Sequence, residues 1–208
     1  MKILVLGASG KVGRLVVEGA LNRGHKVIAF VHKNSLGDQS GVKIVRGDIY
    51  DQKSVEKAMQ DIDIIINCLG SWGTKNKDIV SKGIENILPL VKKHKVKRVI
   101  SLTGHGAAAP NEKLGSLANL SRHILLVLAP KILKDGEKSL VDLNKSKVDW
   151  AAIRSPIMVN FFDATKFTFS EERPWPLSVI NRKSVAIALL DLAEAKKIEN
   201  QMPFIKRG

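Results

Sequence analysis

The beginning of the chain alternates between short apolar runs and segments in which apolar residues recur at helical spacing. Residues 2–6 read KILVL, which is typical of a strand buried on both faces of a parallel sheet. Apolar residues then recur along 12–20 at positions i, i+3, i+4, i+7 and i+8, which is one face of a helix. Gly24 follows, at a place where helices often end, and 26–31 reads as a second buried strand.

The same alternation continues to about residue 156. Further strands are predicted at 42–48, 62–70, 97–104, 148–156 and 203–207. Further helices are predicted at 54–59, 80–91, 136–146 and 183–195. Pro89 is expected to kink the third of the predicted helices, because proline lacks the backbone donor. This order predicts a single α/β domain, a Rossmann-type doubly wound parallel sheet with helices on both faces.

Three glycines follow the first strand, at the edge of a doubly wound sheet where ligands bind. Gly7 would allow a tight turn, Gly10 would let a pyrophosphate approach the backbone, and Gly13 would let helix and strand pack closely. The first N–H groups of the helix would face the phosphates. The predicted dinucleotide loop therefore consists of Gly7, Ala8, Ser9, Gly10, Lys11, Val12 and Gly13.

The second strand ends in a sequence that bears on the choice of dinucleotide. Proteins that prefer NAD usually carry an acidic residue there, which binds the ribose 2′-hydroxyl. Here the residues are His32 and Lys33, with no carboxylate. Lys11 and Lys33 would suit the negative charge of a 2′-phosphate. The alternative is that both are ordinary surface lysines. The prediction is a preference for NADP(H) over NAD(H).

Four segments carry a family resemblance: GASGKVG (7–13), GDIYD (47–51), KRVISLTG (97–104) and KVDWAAIRSP (147–156). With its Gly-x-x-Gly-x-x-Gly spacing, the chain resembles the atypical short-chain dehydrogenase/reductase superfamily. Within that superfamily, it is most similar to the NmrA-like and biliverdin-IXβ/flavin reductase-like branch. The similarity spans nearly the whole chain.

The resemblance implies roles for further parts of the sequence. Asp48 and Ile49 would line the adenine, while Cys68, Leu69 and Gly70 would flank the ribose and nicotinamide. Residues 1–208 would form one NAD(P)-binding domain, with about 157–208 as its C-terminal, substrate-side portion. The segments 105–133 and 157–181, which interrupt the alternation, would also lie over the substrate side.

Most members of the wider superfamily use a tyrosine acid placed four residues before a lysine. This chain has one tyrosine, Tyr50, and residue 54 is a serine, so the usual acid is absent. The biliverdin/flavin reductase-like branch works without it, which implies a reductase of flavins, quinones or linear tetrapyrroles. The alternative implied by the NmrA-like relatives is a non-catalytic NADP(H) redox sensor, and the sequence leaves both open.

Candidate catalytic residues lie at the end of the fifth predicted strand. Ser101 and Thr103 could hydrogen-bond the substrate or the carboxamide, and His105 could relay a proton near neutral pH. A strand-end serine and a surface histidine are the alternatives. The aromatic residues that could stack on a flat acceptor or pack in the core are Trp72, Phe161, Phe162 and Trp175. The segment 116–130 could be a lid helix or cover a subunit contact.

Composition narrows the choice of partner. The net charge is +14, from 34 Lys and Arg against 20 Asp and Glu, so the chain should attract anions. The lysines are dispersed and only 5% of residues are aromatic, which disfavours nucleic-acid binding. The five histidines lack ligand spacing, so no metal site is expected. Cys68 is expected to be a small buried residue, not a thiolate.

The sequence also bears on compartment. One cysteine excludes a disulfide framework, and no apolar stretch is long enough for a membrane helix. The expectation is a cytoplasmic protein with a small-molecule substrate and no membrane partner, and the oligomeric state is not predicted.

Overall fold

Strands and helices alternate in the computed structural model, which describes residues 1–34, 36–37, 40–161 and 163–208. The strands are β1 (Lys2–Leu6), β2 (Lys26–Val31), β3 (Val42–Arg46), β4 (Ile64–Asn67), β5 (Arg98–Gly104), β6 (Trp150–Ser155), β7 (Ile157–Val159), β8 (Phe167–Ser170), β9 (Val179–Asn181) and β10 (Phe204–Arg207). The helices are α1 (Lys11–Asn22), α2 (Gln52–Ala58), α3 (Ile79–Lys93), α4 (Ser116–Leu128), α5 (Pro130–Lys145) and α6 (Arg182–Glu194).

The main sheet has the strand order β3-β2-β1-β4-β5-β6-β10-β8. All neighbouring strands in it are parallel except β10 and β8, which are antiparallel. The order reverses between β1 and β4, where a doubly wound sheet binds its ligand. A small second sheet joins β7 and β9. The predicted fold class, a Rossmann-type sheet in a single α/β domain, is confirmed, with β8 added antiparallel at its edge.

Both faces of the sheet are covered, which explains why the central strands are apolar at every position. Ile3 and Val5 of β1 pack in a cluster that includes α1 and α6. Leu4 and Leu6, which point to the opposite face, pack in a second cluster with α2, α3 and α5. Two helical layers therefore enclose the sheet and leave its carboxyl edge to the loops.

Several local predictions differ from the structure. Strand 62–70 is confined to Ile64–Asn67, which frees Cys68 and the residues after it to form a loop. Helix 136–146 begins earlier, at Pro130, in the first turn where proline is tolerated. Helix α3 runs through Pro89, which is exposed, so water can satisfy the carbonyl that loses its donor. No helix among the described residues is long and apolar enough to cross a bilayer.

Candidate dinucleotide site

The glycine turn after β1 lies against the loop after β4. Gly7 has a φ of +70°, a backbone conformation that other residues rarely adopt. A Cβ atom built on Gly7 would lie 2.8 Å from the carbonyl oxygen of Cys68, which follows β4. Both the turn and the close approach therefore require glycine, at the point where the strand order reverses.

The other two glycines shape the start of α1. The Gly10 N–H donates to the Gly7 carbonyl at 2.9 Å, which closes the turn, and Gly10 is the N-cap of the helix. A Cβ on Gly13 would overlap the Gly7 carbonyl oxygen and crowd Ala8. The sequence predicts that Gly13 allows contact between helix and strand, and the contact it permits is with the turn immediately after the strand.

This cradle fits the diphosphate of a dinucleotide. Gly10 has no side chain to cap α1, and the first turn of α1 contains no acidic residue. The first N–H groups of a helix lack partners within the helix and lie at its positive end, where anions are stabilised. Lys11 is exposed in this turn. The geometry therefore offers an anion backbone donors and a neighbouring cation.

The predicted 2′-phosphate residues are exposed after β2. His32 and Lys33 are both at the surface, and Nε2 of His32 lies 3.9 Å from the carboxylate of Asp48, which follows β3. The ends of β2 and β3 thus form one polar surface beside the glycine turn. Asp48 also accepts a hydrogen bond from the N–H of Tyr50 at 3.0 Å.

Arg14 is a further cation at this position that the sequence reasoning missed. Its Nε donates to the carbonyl of Ser9 at 3.1 Å and its Nη1 to the carbonyl of Leu36 at 3.5 Å. The side chain therefore links the glycine turn to the segment after β2. Its position three residues after Lys11, on the same helical turn, was the signal that could have identified it.

The residues assigned to adenine and ribose form the wall between β3, β4 and α3. Ile49 is only 5% exposed, and both Ile49 and Leu69 lie against Gly83 of α3. Gly70 is exposed. Cys68 as a whole is half-buried, and burial of its thiol raises the pKa of that thiol to about 12, which favours the thiol over the thiolate at neutral pH.

A buried polar pair links β4 and β5 behind this wall. Asn67 donates through Nδ2 to the Ser101 hydroxyl at 3.2 Å, and its Oδ1 accepts the Leu69 N–H, also at 3.2 Å. Ser101 is 1% exposed, so its hydroxyl faces Asn67 and not the solvent edge. Asn67 was missed by sequence reasoning, although it is the polar residue that ends the IIIN run.

Thr103 and His105 lie nearer to the open edge, and both are half-buried. Thr103 contacts the α5 backbone, where a Cβ on Gly136 would lie 2.8 Å from its hydroxyl. Burial and the nearby Arg173 guanidinium lower the pKa of His105, against hydrogen bonds to the carbonyls of Ser155 and Pro176. The lowered pKa favours the neutral imidazole near pH 7.

Tyr50 is engaged through its hydroxyl in a hydrogen bond at the start of α3. Its hydroxyl donates to the Asp78 carboxylate at 2.6 Å, before the start of α3. Burial, followed by this hydrogen bond, raises the pKa of Tyr50 above its ordinary value. The Tyr50 hydroxyl is therefore a hydrogen-bond donor to the residue that precedes α3.

Asp135 on α5 is a second buried group that the sequence did not reveal. It is 4% exposed and accepts hydrogen bonds from the N–H groups of Val80 and Ser81, at 3.1 and 2.7 Å. The Ser71 hydroxyl also donates to it. One carboxylate thus caps α3 and fixes α5 and the loop after β4 in relation to it.

The aromatic candidates are at the surface. The exposed fractions are 72% for Trp72, 60% for Phe161 and 64% for Trp175, so the core interpretation of these residues is wrong. Phe162 lies outside the described residues.

Among the residues that the structure describes, no group of three or more His, Cys, Asp or Glu side chains could hold a metal ion.

Comparison with known proteins agrees with this geometry. A protein-family profile described as NAD(P)H-binding matches residues 7–196. ChuY, an anaerobillin reductase from Escherichia coli O157:H7, superimposes with a TM-score of 0.79 and 21% identity, over 100% of this chain and 97% of that one. A candidate NADH-flavin reductase from Streptococcus pneumoniae has a TM-score of 0.78 and 18% identity, with 100% of both chains covered.

The sequence relatives match a smaller part. The phenylcoumaran benzylic ether reductase TP7 from Nicotiana tabacum is 34% identical over 80 residues, which is 33% of this chain and 26% of that protein. The chain therefore spans about a quarter of that relative's length. The solved structures share the fold over the whole chain, whereas this sequence match is confined to a short segment.

Proposed function

The chain belongs to the NAD(P)H-binding family, and on that premise we propose that it is an atypical short-chain dehydrogenase/reductase that acts as an NADP(H)-dependent reductase of a conjugated acceptor. A flavin, a quinone or a linear tetrapyrrole is the class of acceptor intended. The observation that carries the proposal is the glycine turn at Gly7, packed on Cys68 at the reversal point of the sheet. The bound cofactor would supply the hydride.

The preference for the phosphorylated coenzyme rests on the charge around the ends of β1 and β2. Lys11, Arg14 and Lys33 bring three cations to this region, with His32 beside them. The nearest carboxylate described there, Asp48, follows β3 and accepts the Tyr50 N–H. These cations would attract the negative charge of a 2′-phosphate, whereas a 2′-hydroxyl is usually bound by a carboxylate.

The choice of acceptor rests on the properties of the candidate acids. Tyr50 is bound to Asp78, Ser101 is buried against Asn67, and His105 has a lowered pKa. None of these groups is placed as a strong proton donor at neutral pH. An acceptor that spreads the added charge over a conjugated system can take its proton from water. Thr103 and His105 are then proposed to hydrogen-bond the acceptor, with Ser101 positioning Asn67 behind the site.

A turnover assay tests this function. NADPH should be oxidised in the presence of at least one of FMN, menadione or biliverdin. The oxidation is measured as the loss of the absorbance of the reduced nicotinamide. Tight NADPH binding with no turnover on any of the three would contradict the reductase and favour the redox sensor.

The role of His105 can be tested in the same assay. Because the imidazole is neutral and serves as a hydrogen-bonding group, His105→Gln should lower kcat by less than about tenfold. The pH profile of kcat should keep its shape. A loss of about a hundredfold or more, with the alkaline limb of the profile removed, would instead identify His105 as the proton donor.

A further inference from the structure

Helix α4 has an apolar face that no described residue covers. The helix has no buried residue along its length. Five aliphatic side chains recur at helical spacing on its outer side, with exposed fractions from 42% to 80%: Leu117, Leu120, Ile124, Val127 and Leu128. An open apolar hollow of about 330 Å³ lies along this face, lined by His123, Ile124, Val127 and Leu128. We call these five aliphatic residues the α4 face.

The inner side of α4 is fixed on the protein. Leu125 packs against Gly106, where a side chain would overlap it, and Arg122 pairs with Glu137 of α5 through two hydrogen bonds of 2.8 and 3.1 Å. The helix is therefore held with its larger apolar side outward. Contiguous exposed apolar patches on folded proteins commonly mark interaction surfaces.

Exposed tryptophans lie on neighbouring segments. The Ser71 hydroxyl donates to Asp135 of α5, which places Trp72 next to the helix on which α4 packs. Arg173 donates to the His105 and Ala107 carbonyls, on either side of the Gly106 that Leu125 contacts. Trp175 follows two residues later. Tryptophan is enriched where a protein meets the boundary between lipid and water.

The charge around the α4 face identifies what covers it. From Lys113 to Lys134 the sequence contains no carboxylate and four cationic residues, of which Arg122 is paired with Glu137 and the other three are Lys113, Lys131 and Lys134. Lys113, Lys131 and Lys134 are exposed. A second copy of the chain would bring like charges together across a two-fold axis. An anionic surface would be complementary to them, and the whole chain carries a net charge of +14.

We propose that the α4 face docks on an anionic lipid bilayer, with its aliphatic side chains in the headgroup boundary and the flanking lysines on anionic headgroups. Apolar area and attraction to anionic lipid together determine the strength of such binding. The surface lies beside the loop that carries His105, because Leu125 on the inner side of α4 packs against Gly106. The inference does not depend on turnover, because vesicle binding is measured without substrate.

Co-sedimentation with vesicles tests the proposal. The full chain should bind vesicles of equal parts phosphatidylglycerol and phosphatidylcholine, and bind phosphatidylcholine vesicles much more weakly. Leu120→Gln with Val127→Gln should weaken binding at least about tenfold, since both positions are exposed and glutamine keeps the helix. The matched pair Leu120→Met with Val127→Met retains apolar area and should bind within about twofold of the native chain.

A second pair of variants isolates the charge. Lys131→Gln with Lys134→Gln should weaken vesicle binding about tenfold or more. Lys145→Gln with Lys147→Gln removes the same charge at the other end of α5 and should have an effect of about twofold or less. Circular dichroism and NADPH affinity verify that each variant is folded.

Three outcomes would overturn the inference. The first is no binding of the native chain to anionic vesicles. The second is unchanged vesicle binding of the variant with Leu120→Gln and Val127→Gln, which would show non-specific attraction of a basic protein. The third is a stable dimer of the native chain in sedimentation velocity that Leu120→Gln with Val127→Gln converts to a monomer. That result would identify the α4 face as a subunit interface.

Discussion

Position 7 shows how a single residue constrains the site. Its positive φ excludes most other residues, and so does the Cys68 carbonyl oxygen, which would lie 2.8 Å from any Cβ atom there. The loops after β1 and β4 touch at this position, and the turn leads directly into the start of α1, whose N-cap, Gly10, has no side chain. The same residue therefore joins the packing of the sheet to the proposed phosphate contacts.

Lys33 is the residue at which the preference for coenzyme can be tested. Lys33→Glu should raise the Kd of NADPH about tenfold by placing like charge beside the 2′-phosphate, and change that of NADH by less than about twofold. Lys197→Glu, an exposed site after α6, provides the matched charge reversal and should leave both values unchanged. Calorimetric titration gives both constants, and an equal change for the two coenzymes would contradict the assigned role.

Asp135 tests the internal support of the site. Asp135→Asn should lower the free energy of unfolding by about 2 kcal/mol, because the N–H groups of Val80 and Ser81 lose a buried carboxylate acceptor. Asp142→Asn on the same helix removes an exposed pair with Lys138 and should cost about 0.5 kcal/mol or less. Urea unfolding measures both, and equal values for the two variants would refute the capping role.

Glycines were easier to predict at the residue scale than buried polar groups. The three glycines follow from the local pattern of strand, turn and helix, which the sequence displays directly. Asn67 and Asp135 acquire their roles from partners far along the chain, namely Ser101 and the start of α3. No local pattern contains such pairs.

At the scale of elements, one carboxylate joins four parts of the C-terminal half. Glu112 pairs with Arg154 of β6 and with Arg173, which also binds the His105 carbonyl. The Arg154 guanidinium lies 3.7 Å from the ring centroid of Phe204 in β10. The cluster therefore fixes the loop after β5 against two strands and the segment before β9.

Glu112→Gln should destabilise the protein by about 2–3 kcal/mol at neutral pH, because Arg154 is buried and loses its counter-charge. Burial opposes ionisation of Glu112, but the Ala109 N–H and the two arginines outweigh it, so its pKa is lowered. The stabilisation is then present above the ordinary pKa and is lost as the pH falls through the lowered one.

The free energies of unfolding of the native chain and of Glu112→Gln should differ at neutral pH, and this difference should become smaller below about pH 4. Urea unfolding of the native protein and of Glu112→Gln, from neutral to acidic pH, measures this difference. A difference that stays constant with pH would show that the charge of Glu112 is not what stabilises the cluster.

Element prediction succeeded where the pattern was long and regular. Helix α1 and strands β1 and β2 follow from their periodicity, whereas β7 and β9 have three residues each and β8 has four. Such strands are too short to show alternation, and β8 is determined by its antiparallel pairing with β10. The start of α5 at Pro130 was also missed, because the buried positions between Leu133 and Leu140 are Asp135, Gly136 and Ser139, which interrupt the apolar spacing.

At the scale of the whole molecule, the loops after β1, β4, β5 and β6 meet at one edge of the sheet. The glycine turn, the candidate acceptor residues and the α4 face all belong to segments that follow these strand ends. The alternation of strands and helices predicted this edge from sequence. The outward orientation of α4 could not be predicted, since an apolar stripe does not show which of its sides packs.

Calorimetric titration of the purified chain with NADPH and NADH tests the central claim, that the turn at residues 7–13 binds the diphosphate of a nicotinamide coenzyme. We predict saturable one-to-one binding of both coenzymes, with NADPH bound at least about tenfold more tightly. The absence of binding heat with either coenzyme at several temperatures would contradict the claim.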